Sequence, residues 1–171
     1  MTRIYIDTEF SDFTETQLIS FGAVAEDGQE FYVELDTLPP SVSDFVQSHV
    51  LPLLEGGLRQ IQRDKFKERF TAWVSQFNDP ILISDSGWDL SMVRSGLGLA
   101  PTHEVGILNY FDLRLTLVVI PSLSEEAEAL FMETLVQYFI TDPRQHHALV
   151  DAHALQAAIE TVEATLGFDM N

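Results

Sequence analysis

The sequence contains no cysteine, which excludes disulfide staples, thiolate catalysis and any metal site with sulfur ligands; a bound metal must sit on oxygen or imidazole. Positive charge is nearly as scarce. Nine Lys and Arg stand against 27 Asp and Glu, a formal net charge of −18, so no broad basic face is available to grip a phosphate backbone. Glycine and proline are sparse, 9 and 7 in 171 residues, and no linker, low-complexity tract or internal repeat interrupts the chain. No apolar run approaches the ~20 residues of a membrane span. The opening stretch carries Asp7 and Glu9 where a signal peptide needs an apolar core. A soluble, cytoplasmic protein with no membrane partner is the expectation. What the chain does have is apolar bulk: 46% of residues, with 12 Phe, 4 Tyr and 2 Trp, enough to bury one core and too much for a disordered acidic tail. The expectation is a single domain over residues 1–171.

Residues 3–8, 18–25 and 29–35 read as strands, the last two joined at Asp27-Gly28, and 81–84 as another after Pro80. Ser41 or Ser43 begins a short helix to Val50 that Pro52 ends. A longer helix over 58–77 puts Phe66, Phe70, Trp73, Val74 and Phe77 on one stripe, and a short one over about 88–95 stops at Gly96 and Gly98. Residues 105–108 and 112–119 leave strand and helix open. Ser122 with Glu125 reads as a capping box before a helix over 125–140, and the last helix runs from about 147 to 166. This order, strand-rich first and then alternating, gives an α/β fold in which a mixed sheet is flanked by helices.

Four carboxylates stand out by position. On a strand, Asp7 and Glu9 share a face while Ile4 and Ile6 point the other way. Like charges this close oppose each other's ionisation unless a cation lies between them, although an exposed strand end also suits an isolated pair. Asp89 lies one turn before Met92 and Val93, on the side that should face the sheet. Asp151 extends the stripe Leu155, Ile159, Val162 and Leu166 back by one turn. A helix N-terminus stabilises a carboxylate by about 0.3–1 kcal/mol, which accounts for Asp89 or Asp151 singly but not for four converging acids. Hard oxygen donors of this kind suit Mg²⁺ or Mn²⁺, and an acidic two-ion cluster serves in-line displacement at phosphorus. His146 and His147, just before Asp151, are candidates for a general base, and spacing alone does not choose between them. His49, His103 and His153 have no such setting.

Three stretches resemble the motifs of the DEDDh family of 3′–5′ exonucleases, which holds oligoribonuclease, RNase T and the proofreading subunit of DNA polymerase III. They are Ile6-Asp7-Thr8-Glu9-Phe10, Ser84-Asp85-Ser86-Gly87-Trp88-Asp89 and His146-His147-Ala148-Leu149-Val150-Asp151, in the family's order and spanning nearly the whole chain. The small length and the stretch Ser48-His49-Val50-Leu51-Pro52 are similar to a bacterial exoribonuclease branch known from mycobacteria. The resemblance implies an RNase H-like fold and two Mg²⁺ or Mn²⁺ ions held by Asp7, Glu9, Asp89 and Asp151. It makes His146 the general base, with His147 the intervening residue. The implied reaction is stepwise release of nucleoside 5′-monophosphates from a 3′ end of single-stranded RNA or DNA, RNA by the closer similarity, and a homodimer is implied as well. One position departs: where the second motif often carries Asn, four residues before its Asp, this chain has Asp85.

An acidic chain needs another grip on nucleic acid. Arg59, Arg63 and Lys67, at i, i+4 and i+8 of the expected 58–77 helix, form a basic strip that reads as a solvated face or as a guide for the 5′ side of a strand. Thr8, Phe10 and Trp88 adjoin the acids and are candidate substrate contacts. Phe10 and Trp88 suit stacking on a terminal base, worth about 1–3 kcal/mol per base, and equally suit a core. Binding through divalent ions and stacking favours short oligonucleotides or frayed 3′ ends, with weak salt dependence. The alternative is a catalytically silent RNase H-like module that binds nucleotides or proteins. The five positions Asp7, Glu9, Asp89, His146 and Asp151 all hold the required residue types, which favours the enzyme.

Overall fold

The structure, a computed structural model, describes residues 1–14, 16–110, 113–120 and 123–167. Its strands are β1 (Thr2–Phe10), β2 (Leu18–Ala25), β3 (Glu30–Leu35), β4 (Gln60–Ile61), β5 (Pro80–Ser84), β6 (Gly106–Tyr110) and β7 (Leu113–Val119). They form one mixed sheet in the order β4-β3-β2-β1-β5-β7-β6. All of β2 is buried, which is why its sequence reads apolar without alternation. On β1 the alternation sorts two layers. Ile4 and Ile6 pack with Phe21, Phe70 and Met92 beneath helices α1 (Phe66–Val74) and α2 (Gly87–Gly96). Tyr5 packs with Phe131, Leu155 and Ile159 beneath α3 (Glu125–Thr141) and α4 (Ala148–Leu166).

Connectivity places the site. From β1 the chain runs to one side through β2, β3 and β4, then crosses to build β5, β7 and β6 on the other. The boundary between β1 and β5, which are parallel, is therefore the point where the winding reverses, and ligands of open α/β sheets bind outside the carboxyl ends of strands at such a point. The two neighbours of β1 also differ in length. β2 follows it to Phe10, whereas β5 pairs only with Thr2–Tyr5, so the end of β1 has one open edge.

Gly22 of β2 pairs with Asp7, and the backbone of Ala148 and Leu149 lies so close that a Cβ on Gly22 would sit 2.3 Å from it. Only glycine lets the start of α4 rest directly on the sheet beside Asp7.

The expected 58–77 helix is corrected. Gly56 and Gly57 adopt φ of +69° and +57°, and Gln60–Ile61 is extended to pair with Glu34 and Leu35, so α1 begins only at Phe66. The expected basic strip goes with it: Arg59 pairs with Glu55, Arg63 donates to the Leu18 carbonyl, and the Lys67 ammonium lies 5.0 Å from the Tyr110 ring centre. The short helix expected to end at Val50 is present over residues 44–50, wide-turned at Val46–Val50, with a tight turn following at Leu51–Leu53; the Ser43 hydroxyl at its start accepts from Val46 N. Both segments left open are strands, β6 and β7. Ser122 lies outside the described residues, and the observed cap of α3 is Ser124, accepting from Ala127 N. The Asp27-Gly28 turn is present, with Gly28 at φ +84°.

Replacing Gly22 with Ala forces α4 off the sheet. We expect a loss of about 3 kcal/mol in denaturant unfolding, with the α4 residues moved from β1; a near-neutral change would show that the contact relaxes freely.

Candidate active site

Because β5 stops at Ser84, the N–H of Thr8 has no strand to bond. It donates instead to Asp89 Oδ1 at 3.0 Å, and the Thr8 hydroxyl donates to the same oxygen at 2.6 Å. The hydroxyl of Ser84, the last residue of β5, donates to Asp89 Oδ2. Asp89 belongs to the first turn of α2, whose cap Ser86 accepts from Trp88 N. Thr8 thus lies in the wall of the site with its hydroxyl proton on Asp89.

The remaining acids arrive from two directions. Asp7 and Glu9 project from the end of β1, and the contact of α4 with Gly22 carries Asp151 over them. His146, just before α4, has the left-handed φ of +75°, uncommon outside glycine, which turns its N–H back to Asp151 Oδ2 at 2.9 Å. Carboxylate oxygens of Asp7, Asp85 and Asp89 lie within 4.8 Å of one another, as do ligand atoms of Glu9, Asp151 and the His146 ring. All six line one crevice of about 600 Å³, whose lining includes no Lys or Arg among the described residues. His147 goes elsewhere: it is 2% exposed, stacked on Tyr32 at 4.4 Å, with Nε2 3.3 Å from Glu55.

Burial first, and then neighbouring acids without a counter-charge, hold these carboxyls protonated past their ordinary range. Loss of solvent, followed by the charges of Asp89, Asp151 and Glu9, raises Asp7 well above the usual value. Loss of solvent and then Asp151 and Asp89 push Glu9 up to about 9. Asp89 and Asp151 rise to about 7, again through burial first, opposed by hydrogen bonds from Ser84 and Thr8 to one and from His146 N to the other. Burial, then His49, lowers the pKa of His146.

The donor set fits a divalent cation. Asp7 Oδ2 and Asp151 Oδ1 are shielded from solvent and have no hydrogen-bond partner. Such oxygens are costly unless something positive meets them, and hard oxygens suit Mg²⁺ or Mn²⁺. Cavity size alone would mislead: a larger one, about 760 Å³, lies between α1 and the β5–β7 side, but Asp79 there pairs with Arg114 and Glu68 with Lys65.

Aromatic rings flank the acids. Phe10 and Trp88 stand 6.0 Å apart, and both contact Phe13, which is 68% exposed. On another stretch of the wall, Phe45, 49% exposed, lies edge-on to His146 at 4.8 Å and stacks on His49 at 4.6 Å. Sequence reasoning missed Phe13, Phe45 and His49. The available signal was an exposed aromatic three residues past Phe10 and a Phe-His pair four apart.

No family model matches the chain. A 65-residue stretch is 42% identical to 3′-5′ exoribonucleases of Mycobacterium tuberculosis, one from strain CDC 1551 / Oshkosh and one from strain ATCC 25618 / H37Rv. That match covers 37% of this chain and spans only 39% of the length of each relative. A solved structure of exonuclease I superposes on 95% of this chain with a TM-score of 0.65, over 41% of its own length and at 13% identity. The fold is RNase H-like. In this RNase H-like sheet the acids cluster at the carboxyl end of β1, beside the gap that β5 leaves.

The raised carboxyl pKa values set a sign for stability. Unfolded carboxyls titrate near 3.8 to 4.5, whereas the folded ones titrate at about 7 to 9, so across that window the folded chain binds more protons and loses stability as pH rises. The lowered pKa values of His146 and His147 oppose this only below 6.5. Thermal melts in EDTA should therefore show a melting temperature that falls toward pH 9, and saturating Mg²⁺ should remove most of the fall. A metal-free melting temperature that rises with pH contradicts the carboxyl cluster.

Proposed function

We propose that the protein is a divalent-metal-dependent 3′–5′ exonuclease that acts on single-stranded RNA and releases nucleoside 5′-monophosphates. The observation that carries this reading is the meeting of Asp7, Glu9, Asp89, Asp151 and His146 in one crevice where Asp7 Oδ2 and Asp151 Oδ1 lack partners and whose lining, among the described residues, has no lysine or arginine. A phosphodiester is negatively charged and would be repelled by this wall, so neutralisation must come from bound cations. The RNase H-like fold and the local similarity to 3′-5′ exoribonucleases support the same reading.

Asp7, Glu9, Asp89 and Asp151 would hold two Mg²⁺ or Mn²⁺ ions, which when bound would offset the phosphate charge and favour in-line attack by water. His146 accepts the proton of the attacking water. Burial keeps its ring neutral near pH 7, and the N–H bond to Asp151 fixes its loop. Attack at phosphorus breaks the P–O3′ bond, leaving a 3′-hydroxyl on the shortened chain and a 5′-phosphate on the released nucleotide. Phe10, Phe13 and Trp88 offer sequence-blind stacking to the terminal base. Thr8 and Ser84 hold Asp89 in register. Among the described residues no lysine or arginine lines the crevice, so only the last few nucleotides bind strongly and affinity depends weakly on salt.

The test is 5′-labelled single-stranded RNA and DNA incubated with Mg²⁺ or Mn²⁺. We expect a one-nucleotide ladder receding from the 3′ end, lost with Asp7→Asn and lowered by about 10²–10⁴-fold with His146→Ala. Intact substrate with both metals, together with mononucleotide binding, would favour a silent module. Activity lost with His147→Ala but kept with His146→Ala would overturn the assignment of the base.

A further inference from the structure

We infer that Asp85 is a direct ligand of one of the two cations, so that the ion beside Asp7 and Asp89 is held by three carboxylates. This rests on the divalent-cation reading above and adds a residue that the motif resemblance did not assign.

Three observations carry it. A carboxylate oxygen of Asp85 lies within 4.8 Å of ligand oxygens of both Asp7 and Asp89. Asp7, a member of that group, has its Oδ2 shielded from solvent and without a hydrogen-bond partner, so one of the three acids has an oxygen that no protein donor serves. The turn that presents Asp85 is built rather than loose. The Ser84 hydroxyl accepts from Ser86 N at 2.9 Å, and the Ser84 carbonyl accepts from Ile120 N at 2.9 Å, pinning the residues on either side of Asp85. The same hydroxyl orients Asp89, so one serine sets the direction of both acids.

Charge decides between ligand and bystander. Asp85 is exposed, yet one of its carboxylate oxygens lies within 4.8 Å of oxygens of two other acids, and no basic side chain pairs with it among the described residues. A third carboxylate in this position repels its neighbours in the metal-free chain; a cation shared by all three reverses the sign. An amide at the same place would offer an oxygen without the charge, and affinity for hard divalent ions follows the count of charged ligands. The two ion positions are therefore unequal. Three carboxylates serve one, whereas Glu9 and Asp151 serve the other, so the protein should hold one ion more tightly than the other.

The test is calorimetric titration of Mn²⁺ into the metal-free full chain, followed in parallel by electron paramagnetic resonance of free Mn²⁺. Wild type should show two classes of site. Asp85→Asn should weaken the tighter class by about tenfold or more while leaving the weaker within about twofold. Glu126→Gln, the same charge change on an exposed position of α3, should alter neither. Asp85→Asn should also raise the melting temperature in EDTA and shrink the rise that Mn²⁺ produces, results that a damaged fold would not give. Two-site binding unchanged in Asp85→Asn, or an equal loss in Glu126→Gln, overturns the role of Asp85 while leaving the divalent-cation reading intact. Wild type that binds no Mn²⁺ overturns both.

Discussion

A backbone N–H without a strand partner organises this molecule. β1 runs past the end of β5, and a buried amide donor must be satisfied, so Thr8 N takes an oxygen of Asp89. That single bond draws α2 against the sheet with an acid, not an apolar residue, at the contact. The opposite face is set by a second close approach, α4 on Gly22, which delivers Asp151 and the His146 loop to the same end of β1. Strand length on one side of β1 and the absence of a side chain on the other thus assemble a site from segments that lie far apart in sequence.

The consequence is electrostatic frustration on purpose-built scaffolding. Burial and mutual repulsion hold Asp7, Glu9, Asp89 and Asp151 above their ordinary pKa values, so the metal-free fold carries an unfavourable cluster that hydrogen bonds from Thr8, Ser84 and His146 only partly relieve. The core under α1 and α2 and that under α3 and α4 bear the cost of this arrangement. The net charge of −18 acquires a second meaning here. Among the described residues, Arg3, Arg59, Lys65, Arg114 and Arg144 are tied in ion pairs with acids and no lysine or arginine lines the crevice, so its carboxylates meet no basic side chain there.

Local patterns made much of this readable. Parity on β1 paired Asp7 with Glu9, and the apolar stripes of α2 and α4 pointed Asp89 and Asp151 inward, because those inferences need only the geometry of one element. Readings failed where the deciding contact was remote. Residues 58–65 look helical until Ile61 is needed beside Leu35 at the sheet edge, and Gly22 gives no hint of α4. Spacing could not separate His146 from His147, since the difference lies in the left-handed turn at His146 and in the Tyr32 ring that receives His147. The two bonds from Thr8 to Asp89 were equally out of reach, because they depend on where β5 stops.

The central claim is that the acids at the end of β1 form a cation site. Anomalous scattering from crystals grown with Mn²⁺ tests it most directly. The account predicts two ions per chain in the crevice, one at Asp7 and Asp89 and one at Glu9 and Asp151. Ions bound only to surface carboxylates, with none within reach of Asp7, would contradict it.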